Sequence, residues 1–121
     1  MTTSQDTIRC YNSGAISPLS YLTAYNNFLR ADRIIINELR MSPINPMNVT
    51  WGLQPSAPWF LHMIKDIALL IGCSAIYFQH NWSESRGARL EHKIAKWLGK
   101  DMYFEMEKPA DTKPRIKQSH N

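Results

Sequence analysis

Two carboxylates stand out for the company they keep. Glu91 sits in "NWSESRGARLEHKIAKWLGK", four residues after Gly87 and so one helical turn deeper on the same stripe, beside the apolar Leu90, Ile94, Trp97 and Leu98. Asp66 projects next to Trp59 and Leu70, at the rim of a second apolar helix stripe. A carboxylate on such a border is partly desolvated, which raises its pKa. Two of them at one pocket can divide the labour of breaking a glycosidic bond: one attacks or stabilises the sugar cation while another group handles the proton. From spacing alone, a solvated helix charge is the simpler reading of each.

The loop before Glu91 offers a second chemistry. Ser83 or Ser85 stands where a helix N-cap belongs, and Gly87 lets backbone approach a ligand closely. Free amides at that helix start, with the Ser85 hydroxyl and Arg86 or Arg89, can hold a phosphate or another anion. Asn81 and Trp82 open the loop, and Trp82, an aromatic in a polar segment, can stack on a ring. The plainer alternative is a capped helix with solvated arginines. His62, His80, His92 and His120 show no ligand spacing with cysteine or carboxylates, which argues against a metal site. There is no phosphate-loop lysine motif and no dinucleotide glycine fingerprint.

These residues need elements to position them. "TIRCY" reads as a strand ending in the turn signal "NSGAISP". Leu22, Tyr25, Phe28, Leu29, Ile35, Ile36 and Leu39 recur at helical spacing between Leu19 and Arg40. "MSPINP" holds a short second strand cut off by Pro46, and "MNVTWGLQPSA" is loop-like. Ser56 can cap, and Pro58 start, a helix with the apolar face Trp59, Phe60, Met63, Ile64, Ile67, Leu70 and Ile71, which Gly72 ends. "SAIYF" and "DMYFE" flank the third helix as strands. Strand and helix alternate throughout, which predicts parallel strands with helices on both faces of the sheet, and ligands at the strands' carboxyl ends.

Composition sets the outer limits. At 121 residues, 44% hydrophobic and 20% charged, the chain is one globular domain rather than a disordered segment. Its net charge of +4 splits evenly: from Met106 onward four basic residues oppose two acidic ones, so a nucleic-acid face is not required. The segment 106–121, with two prolines and few apolar side chains, reads as a flexible basic tail beyond a domain at 1–105. "IALLIGCSAIYF" is too short to span a bilayer, and the polar start "MTTSQDTIR" has no apolar signal core, so the expectation is a cytoplasmic protein without a membrane partner. Cys10 and Cys73, both within apolar segments, read as buried reduced thiols.

"YNSG" after strand one, "INP" after strand two, "KDIALLIGCSAIYF", and then W-x-x-S-x-G-A-x-x-E-x-x-x-A-x-x-L-G together resemble the nucleoside 2-deoxyribosyltransferase-like superfamily, in particular its short branch common in phages and bacteria. The resemblance runs from about Ile8 to Glu105. It implies a flavodoxin-like three-layer sandwich with a small parallel sheet of about four strands. It also implies N-glycosidic bond cleavage or exchange on a (deoxy)nucleoside or its 5′-monophosphate, with no metal or organic cofactor. Glu91 would attack the anomeric carbon, Asp66 would assist, and Tyr11 would position the glutamate, with Gly14 in the adjoining loop. Ser85, six residues before Glu91, matches the serine that helps bind phosphate in the monophosphate hydrolases of the superfamily. Two positions depart from the pattern: Ser74 stands where relatives often have an aspartate, and the first loop lacks the arginine of the monophosphate hydrolases. A homo-oligomer is implied by the same likeness. The rival readings are a nucleotide-binding or sequestering module with the same pocket, and a small interaction protein with a vestigial one.

Overall fold

The structure is a computed structural model that describes residues 7–16, 19–106 and 115–119. Four strands, β1 (Arg9–Ser13), β2 (Ser42–Ile44), β3 (Ala75–Phe78) and β4 (Asp101–Met106), pair in parallel, alternating with helices α1 (Tyr21–Asn37), α2 (Trp59–Ile71) and α3 (Arg86–Trp97). A fifth strand, β5 (Arg115–Ser119), runs antiparallel to β4. The order is β2-β1-β3-β4-β5, the flavodoxin-like arrangement expected from the alternation of elements. From β1 the chain moves to one side and, after β2, returns to the other, so β1 and β3 flank the point where strand order reverses.

Side chains alternate across the sheet and build two cores. On one face Cys10, Ala75 and Tyr77 pack under Ala31, Ile34 and Ile35 of α1. On the other, Tyr11, Ile76, Phe78 and Met102 pack under Leu70 of α2, Cys73 and Ala95 of α3. Cys10 and Cys73 are thus on opposite faces, buried and free.

Three expectations need correction. First, residues 115–119 of the expected flexible tail form β5; the single apolar Ile116 faces Glu105 across the ladder and packs against the α1-side core, a signal too small to outweigh the surrounding polar residues. The rest of that segment after Met106 lies outside the described residues. Second, strand one extends two residues further than "TIRCY", to Ser13, which puts Tyr11 and Ser13 on the same face.

Third, the buried faces of the helices are not those marked by the largest apolar side chains. α2 buries Met63, Lys65, Asp66 and Leu70 and leaves Phe60, Ile64 and Ile71 exposed. α3 buries Ala88, Glu91 and Ala95, while Trp97 stands 83% exposed. α1 buries Phe28 and Ile35 as expected, together with Ala24, Ala31 and Ile34, and leaves Leu22 and Ile36 outside. Small residues on the inner stripe let helix backbones lie close to the sheet, and a helix apolar nearly all round, such as α2, has no rotation fixed by hydrophobicity alone.

Candidate functional site

The carboxyl end of β1 delivers two hydroxyls to one side of the sheet. Tyr11 Oη donates to Glu91 Oε2 at 2.7 Å, and Ser13 Oγ donates to Glu91 Oε1 at 2.7 Å. Residues two apart on a strand share a face, so the pair is a direct consequence of β1 reaching Ser13. Glu91 comes from the inner stripe of α3 and is 4% exposed. It contributes to the floor of a cavity of about 800 Å³ that is also lined by Tyr11, Asp66, Gly14, Ser85 and Gly87. The loops after β1, β2 and β3 all reach this cavity, and Phe28, Met47, Leu53, Met63 and Trp59 give it a largely apolar wall.

Burial sets the electrostatics. Loss of solvent pushes the Glu91 carboxyl from an ordinary 4.5 up to about 8; the nearby Asp66 charge pushes the same way, while the Ser13 and Tyr11 hydroxyls and the Lys65 charge pull it back. Burial also raises Asp66, opposed by Lys65 and by His62. Lys65 is itself buried, its Nζ donating to Pro46 O at 2.8 Å and Val49 O at 2.7 Å and lying 3.1 Å from Asp66 Oδ1. The lysine therefore pins the loop after β2 to α2, and it forms an ion pair with Asp66. Tyr11 is held as the neutral phenol, its pKa pushed well up by burial and then by the Glu91 and Asp66 charges.

The start of α3 forms one lip of the cavity. Ser85 is its N-cap, Oγ accepting from Ala88 N at 3.2 Å, so of the two candidate serines this one caps. Gly87 leaves room for a neighbouring helix: a Cβ there would lie 3.1 Å from Met63 Sδ. Arg86 stacks over Trp59 with its guanidinium 3.7 Å from the ring centroid, and Arg89 donates to Ser83 O at 2.9 Å. Gly14 is demanded by space as well, since a Cβ there would overlap the Gln79 side chain.

Two expected ligand contacts are placed elsewhere. Asn81 Oδ1 accepts from Ala15 N at 3.2 Å and ties the third loop to the first, and Asn81 does not line the cavity. Trp82 does not line it either. Its ring stacks on His92 at 4.6 Å between centroids and packs on Phe78 and Phe104, so it is part of the core under α3. An aromatic in a polar sequence segment gave no sign of this, because its partners are 4 to 22 residues away on two strands and a helix.

Residues 8–104 match the family described as a domain of unknown function, DUF4406. The chain belongs to that family. No curated protein and no solved structure matches it. The matched stretch of the DUF4406 domain contains every residue of the site just described, from Tyr11 to Glu91. Ser13, His62 and Lys65 belong to this site and were missed in the sequence. Ser13 follows from strand alternation once β1 is long enough, and His62 from its position one turn before Asp66. A lysine next to an aspartate reads as a solvated pair, so Lys65 carried no signal.

Among the described residues, no three His, Cys, Asp or Glu side chains are grouped to hold a metal ion, and no helix is long and apolar enough to cross a membrane.

Proposed function

We propose that this protein cleaves or exchanges the N-glycosidic bond of a (deoxy)nucleoside or its 5′-monophosphate, as its resemblance to the nucleoside 2-deoxyribosyltransferase-like superfamily implies, with Glu91 as the nucleophile. The supporting observation is the Glu91 carboxylate itself, at a cavity floor with one hydroxyl donor on each oxygen. Tyr11 and Ser13 fix its orientation, and the cavity is of a size that encloses a small organic ligand. A Glu91 oxygen bonds to C1′ as the C1′–N bond breaks and its electron pair leaves with the base. Water or a second base then takes the sugar. Negative charge placed beside the anomeric carbon stabilises the cationic transition state. Asp66, the neighbouring acid, assists.

Ser85, Arg86 and the open amides of the α3 start lie at the same cavity, which favours a ligand with a 5′-phosphate. The homo-oligomer belongs to the same proposal. α2 keeps His62, Lys65 and Asp66 inward and leaves Phe60, Ile64 and Ile71 more than half exposed, an uncharged stripe that a second copy covers without opposing like charges. Ile64→Glu should then lower the molecular mass measured by light scattering; an unchanged mass removes α2 from the interface.

A non-catalytic nucleotide-binding module is the second reading, favoured by the Glu91 pKa of about 8: at neutral pH the free protein presents mostly a carboxylic acid there, able to donate to a sugar hydroxyl. Incubation with a panel of deoxynucleosides and their monophosphates separates the two. Release of free base that Glu91→Gln abolishes supports the enzyme. Micromolar binding without release supports the module.

A further inference from the structure

His62 has no role in the scheme above. It lines the cavity from α2, one turn before Asp66. Its Nε2 is sealed from solvent and makes no hydrogen bond, whereas Asp66 Oδ1, equally sealed, is met by Lys65 Nζ at 3.1 Å. Buried polar atoms without partners are rare and ask for an explanation. Side chains four apart on a helix stand about 5–6 Å apart at Cβ, so a modest rotation of either lets Nε2–H donate to Asp66 Oδ1. That bond would fix the imidazole and leave its other nitrogen for whatever occupies the cavity.

The Asp66 carboxylate lines the cavity, but its Oδ1 is engaged by the Lys65 ammonium at 3.1 Å. Lys65 is occupied in turn by two backbone carbonyls. The imidazole is therefore the group on this wall with a nitrogen to offer.

We propose that His62 is the proton-transfer group of the site and that Asp66 acts through it as a positioning residue. The inference rests on the glycosidic-bond reading. In the first half-reaction, Glu91 bonds to C1′, the C1′–N electron pair passes to the base, and the imidazolium of His62 gives the base its proton. In the second, water bonds to C1′, the bond to Glu91 breaks with its pair returning to the carboxylate, and the proton released by water goes back to His62. Base and free sugar are the products, and both side chains end as they began.

A substrate whose base departs without a proton makes the test. An N7-methylated purine already carries the positive charge and leaves as a neutral molecule, so it bypasses a leaving-group acid. Turnover of 2′-deoxyguanosine 5′-monophosphate and of its N7-methyl derivative is measured for wild type, His62→Asn, His62→Gln, Asp66→Asn and the His62→Asn/Asp66→Asn double variant. The expected result, read in the single-turnover rate of base release and so before His62 is asked to take a proton from water, is a loss of about 100-fold or more on the unmethylated nucleotide for both His62 variants, with less than about 3-fold on the methylated one. Asp66→Asn should show the same selectivity, and the double variant should lose no more than the worse single one. Turnover of the methylated nucleotide also certifies that each variant is folded. Equal losses on both substrates, or no loss on either, overturn the role of His62 while leaving the glycosidic-bond reading intact. Wild type inert on both nucleotides and on the rest of the panel overturns that reading, and this inference with it.

Discussion

Two glutamates are buried at the carboxyl end of the sheet, one on each face, and they are treated differently. Glu105, on the α1 face, receives Arg30 Nη2 at 2.9 Å and the His80 backbone N–H at 3.2 Å. Beside it Asn12 donates to Asp32 and to Phe28 O, Gln79 donates to Asn12, and Asn45 donates to Asp32, a network that links β1, α1, β3 and the loop after β2. Glu91, on the opposite face, receives two hydroxyls and no direct cation, and a second carboxylate lies near it. The first arrangement compensates a charge with a charge and holds loops together. The second keeps a carboxyl close to its titration point beside a cavity, the state in which a proton or a bond to carbon can be exchanged.

Substitutions can break this contrast. Glu91→Gln should lower base release by about 10³-fold or more while the protein stays folded, whereas Glu105→Gln should leave kcat within a few-fold. Comparable losses of activity from both would erase the distinction. Tyr11→Phe removes a hydrogen bond to the ionised, reactive form of Glu91, which corresponds to roughly 10–100-fold in kcat. Because that hydroxyl pulls the Glu91 pKa down, its loss should also move the alkaline-rising limb of the rate profile to higher pH.

Stability should show the reverse ranking. Glu105→Gln loses its ion pair with Arg30, whose side chain is 34% exposed, and should cost about 1–2 kcal/mol in denaturant unfolding. Glu91 contributes with a sign opposite to that of an ordinary acid. Its folded pKa of about 8 lies above the ordinary 4.5, so its contribution is fully present below pH 4.5 and is lost as pH rises through about 8. Glu91→Gln should therefore be more stable than wild type at pH 9, and the gap should close or reverse at pH 5. The most local effect is that of Gly14→Ala, which forces the Gln79 side chain to move and should cost about 1–3 kcal/mol without a shift in the pH profile.

The sheet and the order of its elements were legible because each rests on a local pattern: short β-branched or aromatic runs, helical spacing, and glycine, proline or serine at the ends. Glu91, Asp66, Tyr11, Gly14, Ser85 and Gly87 converge as the parallel topology requires. Rotation of the helices was not legible. In α2 ten of the thirteen residues are apolar, so sequence pattern places Asp66 only at the rim of the stripe and gives Lys65 no inward signal, yet the carbonyls of Pro46 and Val49 and the cavity draw them in. In α3 the buried stripe is Ala88, Glu91 and Ala95, which hydrophobicity ranks below Leu90 and Trp97. Trp82 was misplaced for a related reason: its ring packs on Phe104 of β4, and only the tertiary fold brings that residue near.

The most direct test of the central claim is to look for the bond between Glu91 and the sugar. A 2′-fluoro-substituted deoxynucleoside 5′-monophosphate carries an electron-withdrawing group beside C1′ that slows hydrolysis of a glycosyl–carboxylate ester. After incubation, intact-protein and peptide mass spectrometry should find the added sugar phosphate on the peptide that contains Glu91, with none on Glu91→Gln. Base release with no adduct, or an adduct on another residue, would contradict the assignment of Glu91 as nucleophile.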